Sequence, residues 1–369
     1  MVLMVTDHAS MAFNAQRASL ESVHFNHFER PELFDFLFRW LSHLCAPTFV
    51  FLAGVSLAIS IHRKLARGAD SKSIDRDLLV RGLVICSVEV VVISWMYDFL
   101  LLQVMYAIGL SMIAMILLRR FPTWALFGLG VLILAGYELV FQGHSMFPMD
   151  PVSFGAIVNA LLVSGARFPA ELAPLDTWNP VVVVYPLLPW LGILIVGWCF
   201  GRTLVSWESS GDRDGKAVRF LLACGLGGLA VFGLVRGLNS YGNLDLLRLD
   251  GSLLEWLRAS KYPPSLSFAA LELGLMSLLL AGFFRIQSLR GGNYRANGPL
   301  LVFGQTAFFF YVVHMPALHV AAHLLGMFAQ GGLLEAAVAS VAMLLVLYPI
   351  CRAYRDCKRA HPQSVLRYL

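Results

Sequence analysis

Charge is scarce in this chain. Asp, Glu, Lys and Arg together make up 14% of its 369 residues, where a soluble domain carries about 25%. Hydrophobic residues reach 58% against about 45–50%, and mean hydropathy is +0.70. These values exclude an ordinary soluble globular class. Cysteine is sparse as well. Cys45, Cys86, Cys199, Cys224, Cys351 and Cys357 form no CxxC pair and lie mostly in apolar runs. They read as small buried hydrophobes, and they exclude a disulfide framework or a zinc ribbon. No GxSxG elbow is present, because Gly54-Val55-Ser56 runs on into Leu57-Ala58, and there is no P-loop. The single i,i+4 histidine pair, His319 and His323, has no carboxylate close in sequence, so no metal is expected. The first residues carry neither a basic n-region nor a small-residue cleavage site, which argues against a signal peptide. Internal repeats and low-complexity tracts are absent. The net charge of +5 is dispersed among hydrophobic runs, which excludes nucleic acid as a partner.

What the chain does have is apolar runs of about 18 residues or more, long enough to cross a bilayer. They fall near 34–61, 78–99, 101–118, 122–141, 181–205, 217–238, 266–285, 299–325 and 333–354. Residues 1–15 read as the last part of another span, because six residues before Asp7 are too few to cross. The expected fold is all-α: a polytopic transmembrane helix bundle of about ten helices, the first truncated by a start lying upstream. It forms one domain over 1–369. Of the 28 basic residues, 20 fall in loops on one side, among them Arg63, Lys64, Arg119, Arg120, Lys216 and Arg352. By the positive-inside rule that side is cytoplasmic and holds the C-terminus. Loops 15–33, 142–180 and 239–265 then face outward.

Within this apolar frame a few polar residues stand out. Asp35, Arg39 and His43 are four apart and share one helix face, spanning about 12 Å of axis. Each ionisable group costs roughly 2.5–3.5 kcal/mol at a bilayer centre on insertion scales, so such a stripe is expected to face a polar cavity or, in part, an Asp35–Arg39 pair. Pro47 is expected to kink this helix. The topology brings others to the same outer depth: Asp7 and His8, Asp98 and Gln103, Tyr185, Pro186 and Trp190, Lys261 in its Tyr-Pro-Pro-Ser context, and Tyr311 with His314. Glu89 lies mid-helix. His319 and His323 are expected at the interface, and His24 and His27 in a polar outer loop. With metal, serine-hydrolase and P-loop chemistry set aside, general acid–base or nucleophilic work by histidine remains, helped by a carboxylate and an arginine. Asp7, His8, His43 and Arg39 form the candidate set, Arg39 being suited to phosphate. A transporter or channel moving a proton or a small anionic solute would use the same cavity.

Several strings carry a resemblance: MVLMVTDHASMAF at 1–13, LFRWLSHLCAPTFVFLAGVSLA at 37–58, LLQVMYAIGLSMI at 101–113, VYPLLPWLGILIVGWCFG at 184–201, KYPPSLSF at 261–268 and LLVFGQTAFFFYVVHMPALH at 300–319. Spread over nearly the whole chain, they resemble the bacterial branch of the heparan-α-glucosaminide N-acetyltransferase catalytic-domain family, within a wider group of transmembrane acyltransferases. The chain departs from the family in one place: it lacks the Asp-x-x-Arg-Gly stretch expected before the first helix.

The resemblance implies acyl transfer. An acyl group, an acetyl in the lysosomal relatives, would pass from acyl-CoA to an amine or hydroxyl of an envelope glycan or lipid on the extracytoplasmic side. It implies a catalytic histidine near the outer end of the first helix, here His8 oriented by Asp7; the lysosomal pattern would move that role toward His24 or His27. The RWxxHxxAP pattern keeps Arg39 and His43 as donor-binding or oxyanion-stabilising residues. Asp35, Gln103, Tyr311, His314 and Lys261 are then expected to line the substrate cavity. Acyl-CoA is expected as donor substrate and no metal as cofactor. Membrane lipids and further copies of the chain are compatible partners, and the branch points to a bacterial inner membrane.

Overall fold

The computed structural model describes residues 1–17, 32–97, 99–141, 153–168, 181–209, 211–291, 295–361, 364 and 366. The chain is an all-α polytopic bundle. In order its helices are α1 (Val2–Phe13), α2 (Leu33–His43), α3 (Cys45–Ala66), α4 (Ser71–Val88), α5 (Val104–Leu118), α6 (Thr123–Gly136), α7 (Phe154–Asn159), α8 (Leu187–Ser206), α9 (Arg213–Leu238), α10 (Leu253–Leu257), α11 (Leu266–Leu289), α12 (Pro299–Gln305), α13 (Ala307–Leu324) and α14 (Leu333–Ala360). Seven helical segments among the described residues are long and apolar enough to span a membrane; Val104–Leu118, Thr123–Leu139 and Phe154–Ser164 are shorter apolar helices.

The centre of the bundle is α8, where Trp190, Ile193, Leu194, Ile195 and Trp198 are buried. It packs on α3, α6 and α5, while α9 lies on α11 and α1 on α13 and α14. Lipid is as apolar as leucine, so helices associate here through close packing rather than hydrophobic expulsion. The α3–α8 seam achieves this with glycine. A Cβ at Gly197 would overlap the Phe51 carbonyl, and one at Gly201 would stand 2.8 Å from the Val55 carbonyl oxygen. Gly197→Val is therefore expected to push the two helices apart and cost roughly 1–3 kcal/mol, read as a lowered melting temperature in detergent. An unchanged melting temperature would count against backbone contact at this seam.

The run at 34–61 is divided at Leu44 into α2 and α3. That break lies one turn before Pro47, whose missing N–H cannot bond the His43 carbonyl, in keeping with the expected kink. Two expectations about the spans are corrected. The run at 299–325 is two helices, parted at Thr306. The start of the run at 181–205 is a strand. Leu100–Leu102 (β1), Ala166–Phe168 (β2) and Val181–Val183 (β3) form a sheet in the order β1-β3-β2, β1 parallel and β2 antiparallel to β3. Leu100 faces Val181, and Ala166 faces Val183. Before β1, α4 passes into a π-helical turn at Glu89–Ile93 and a 3₁₀ turn at Ser94–Tyr97. The buried Glu89 carboxylate accepts from the Met105 and Tyr106 amides at 2.8 and 3.1 Å, satisfying donors at the start of α5.

The two ends of the bundle differ. One is basic: Lys64 pairs with Asp77, Arg119 and Arg120 with Asp75, and Arg202 donates to the Phe121 carbonyl. At the other end α1 finishes and α3, α8 and α11 begin. There α1 is sewn to the loop between α13 and α14: Ala329 and Gly331 donate to the Ala12 and Phe13 carbonyls at 2.9 and 2.7 Å, and Ala15 donates back to Gly331 at 3.0 Å. This strap sets the register of α1 against α13.

Candidate active site

Two adjoining polar groups form where α1 meets α2 and α13. The first is centred on Asp7. Its Oδ1 accepts from Arg39 of α2, from Arg17 at 2.9 Å and from the Ser42 hydroxyl at 3.0 Å. Ser42 and Arg39 lie three apart, so both present to the same face of α2, and Ser42 Oγ also lies 2.6 Å from the Arg39 carbonyl. Asp35, one turn before Arg39, accepts from Asn14 Nδ2 at 2.9 Å. Both carboxylates of the site thus tie α2 to α1 and the residues just beyond it. Buried charge is tolerated here because each member has charged or hydrogen-bonding partners.

The second group is a histidine pair. His8 Nδ1 lies 2.7 Å from His314 Nε2, and His314 Nδ1 lies 2.8 Å from the Phe310 carbonyl oxygen. The rings are nearly parallel, 10° apart. A carbonyl can only accept, so neutral His314 carries its proton on Nδ1 and offers Nε2 as an acceptor. Neutral His8 must then donate from Nδ1, which leaves its Nε2 with a lone pair. His314 is fully buried and His8 half-buried. The pair therefore has the arrangement of a base held by an orienter: a buried partner fixes the tautomer, and the outer ring presents a basic nitrogen.

Of the remaining expected residues, Tyr311 and Lys261 stand near this pair. Tyr311, buried, stands edge-on to His8 at 6.1 Å between ring centroids, and its hydroxyl has no hydrogen-bond partner among the described residues. Lys261, 2% exposed, lies within electrostatic range of Asp7, His8 and Glu272. Its ammonium sits 5.0 Å from the Tyr262 ring centroid. His43, expected at the depth of His8, ends α2 with its ring 5.9 Å from Phe268 of α11. Gln103 caps the start of α5 next to Glu89. His24, His27 and Asp98 lie outside the described residues.

Arg17, Ser42 and Asn14 were not anticipated as members. For Ser42 a signal exists, its i+3 spacing from Arg39; Arg17 and Asn14 join through chain reversal after α1, which no periodicity reports. His319, expected at the interface, is half-buried and lines a pocket that His8 shares with Met11, Ala12, Tyr97, Met315 and Phe328. Among the described residues no group of three or more His, Cys, Asp or Glu side chains could hold a metal ion.

The family model for heparan-alpha-glucosaminide N-acetyltransferase, catalytic, matches residues 18–233, more than half of the chain. That span contains Asp35, Arg39, His43 and Gln103; the grouping of Asp7, His8, Lys261, Tyr311 and His314 with them rests on the geometry above. No curated protein matches the chain.

Proposed function

The chain belongs to the heparan-alpha-glucosaminide N-acetyltransferase catalytic family and is a membrane protein of acyltransferase type; from that premise we propose that it moves an acyl group, first of all acetyl, from acyl-CoA to an amine or hydroxyl of an envelope glycan or lipid. The observation that carries the reading is the His314–His8 hydrogen bond, which leaves Nε2 of His8 as the basic atom. In the reaction the acceptor nitrogen or oxygen attacks the thioester carbonyl carbon while His8 Nε2 takes its proton. The C–S bond then breaks, and the leaving CoA thiolate recovers that proton from the imidazolium. The products are the acylated acceptor and free CoA thiol.

The other side chains take supporting roles. Asp7, held by Arg17, Arg39 and Ser42, anchors α1 and places a negative charge near the imidazolium that forms. We assign Arg39 to this anchor rather than to the donor. Lys261, a buried cation within electrostatic range of His8, would meet the oxygen that becomes negative during transfer. Tyr311 stands edge-on to His8, and Asp35 supplies the tie to Asn14. The distribution of basic loops supports an outward-facing site, and a bacterial inner membrane is the proposed location. No observation specifically favours a transporter.

The test is transfer by the purified chain in nanodiscs, with radiolabelled acetyl-CoA and a pool of glucosamine and envelope glycans. Labelled acceptor and free CoA are expected in equal amounts. Failure to bind or consume any acyl-CoA would overturn the reading. Label trapped on His8 in the absence of acceptor would show that the same nitrogen carries the acyl group in a two-step route.

His314 yields a separate prediction. His314→Phe keeps a ring but removes the acceptor for His8 Nδ1, so kcat is expected to fall by about 10²-fold or more, with the donor KM little changed. His314→Gln, whose amide oxygen can accept, is expected to recover part of that loss. Equal rates in the two variants would assign His314 to packing alone.

A further inference from the structure

At the basic end of the bundle many of the charges are matched. Asp75 and Asp77 hold Arg119, Arg120 and Lys64. On α14, Arg355 donates to the Ala296 carbonyl, to Asn297 and to Asp356, and Arg359 donates to Gln305. Arg81 of α4 differs. Its Nε is buried with no hydrogen-bond partner among the described residues. Within electrostatic range of its guanidinium stand the Tyr354 hydroxyl and the Lys358 ammonium, both on α14. The Tyr354 hydroxyl is also buried and has no partner among the described residues. Phe309 of α13 stacks on the Tyr354 ring, with centroids 4.0 Å and planes 4° apart, and so fixes where that hydroxyl points. Lys358, one turn further along α14, stands 5.9 Å from the same ring.

A guanidinium and an ammonium can only donate, and a phenol beside them serves as a donor too. Buried donors left unmatched cost free energy, and so does bringing two positive charges together. An anion rich in acceptors answers both. Phosphate suits best, because its oxygens take the fork of a guanidinium and a hydroxyl at once. The walls of the groove say which phosphate. On the face of α4 that carries Arg81, Val84 and Val88 are half-buried, and so is Val313, one turn beyond Phe309 on α13. Ile350, one turn before Tyr354 on α14, is 42% exposed. α4 and α13 run away from the basic end and α14 runs toward it, so all four lie deeper in the bilayer than the donors. α13 packs both on α14 and on the π-helical turn that continues α4, and so forms the floor between them. A soluble phosphate would leave this apolar wall bare. A lipid lays its acyl chains along it while its headgroup meets the donors. An ammonium-bearing headgroup would add a third positive charge, so the lipid is an anionic one.

We propose that the groove between α4 and α14 is a binding site for an anionic phospholipid, with Arg81 and Tyr354 donating to its phosphate and Lys358 adding charge. The site lies at the opposite end of the bundle from His8 and does not depend on the chemistry assigned there. Its occupant joins two parts of the bundle, since α4 leans on α5 and α14 on α1.

The experiment is native mass spectrometry of the full chain, stripped of lipid in detergent and offered phosphatidylglycerol or phosphatidylethanolamine with the same acyl chains. It compares wild type, Arg81→Gln, Tyr354→Phe and, as a control at the same end, the exposed Arg120→Gln. Wild type is expected to hold one phosphatidylglycerol about tenfold more tightly than phosphatidylethanolamine, and Arg81→Gln to lose that preference. Tyr354→Phe keeps the ring and its stacking, so it folds even if Arg81→Gln does not, and should weaken phosphatidylglycerol about fivefold. Arg120→Gln should match wild type. Glycerophosphoglycerol, the same headgroup without chains, should not displace the lipid. Equal binding of the two lipids by wild type, or undiminished phosphatidylglycerol binding in Tyr354→Phe, overturns the proposal. A loss in Arg120→Gln as large as in Arg81→Gln overturns it in favour of diffuse surface charge. Displacement by glycerophosphoglycerol or by free CoA overturns it in favour of a soluble phosphate.

Discussion

His8→Ala is expected to lower acetyl transfer by about 10²–10⁴-fold, the contribution typical of a positioned general base, while insertion and yield stay near those of wild type. The expectation follows from where His8 sits. The ring is half-buried at the edge of a pocket, and its hydrogen bond runs to His314 rather than into the ion-pair group. Removing it leaves Asp7 with Arg17, Arg39 and Ser42, so the charges that hold α1 remain paired. The strap from Ala12 and Phe13 to Ala329 and Gly331 is backbone and survives the change. The loss should therefore appear in kcat without a matching fall in melting temperature. Full activity in His8→Ala would remove His8 from the chemistry and move attention to His43. A collapse of both activity and stability would make the histidine pair structural.

Asp7→Ala is expected to do the reverse and to show first in stability. Its side chain is 11% exposed, with Arg39 at 6% and Arg17 at 19%, so solvent screens this group weakly. Truncating one member of such a buried group strands the charge of the others, at a cost of about 3–5 kcal/mol. The measurement is thermal unfolding of the detergent-solubilised protein, and a large drop in melting temperature is expected. Asp7→Asn keeps an oxygen that can accept but loses the charge, and should lie between alanine and wild type. Adding Arg39→Met to Asp7→Ala removes one stranded charge and should recover part of the loss, a coupling that a double-mutant cycle reads directly. Additive losses would mean that Asp7 and Arg39 do not depend on each other, against the geometry.

The membrane-spanning frame is legible in the sequence because long apolar runs have few other uses, and the site residues are legible because charge inside such runs is expensive. The partners are less so. Spacing four apart relates Asp35 to Arg39 along one helix, but Arg39 reaches across to Asp7 on another, and sequence periodicity carries no information about contacts between helices. The His8–His314 bond joins residues 306 positions apart, so depth in the membrane is all that suggests it. The break at Leu44 lies one turn before Pro47, the proline that signalled it in the sequence. The sheet escapes notice for a different reason. Its strands are three residues each, too short to impose an alternation that could be told from a span.

The strap between the end of α1 and Gly331 has a bearing on how the protein is made. α1 leaves the ribosome some three hundred residues before the residues that fix its register, Ala329 and Gly331, with His314 only shortly before them. Contacts so distant along the chain form late. Until α13 and the loop after it have entered the bilayer, α1 has neither its histidine partner nor its backbone anchor. On the proposed role of the histidine pair, arrest before residue 331 should leave an inserted but inactive bundle.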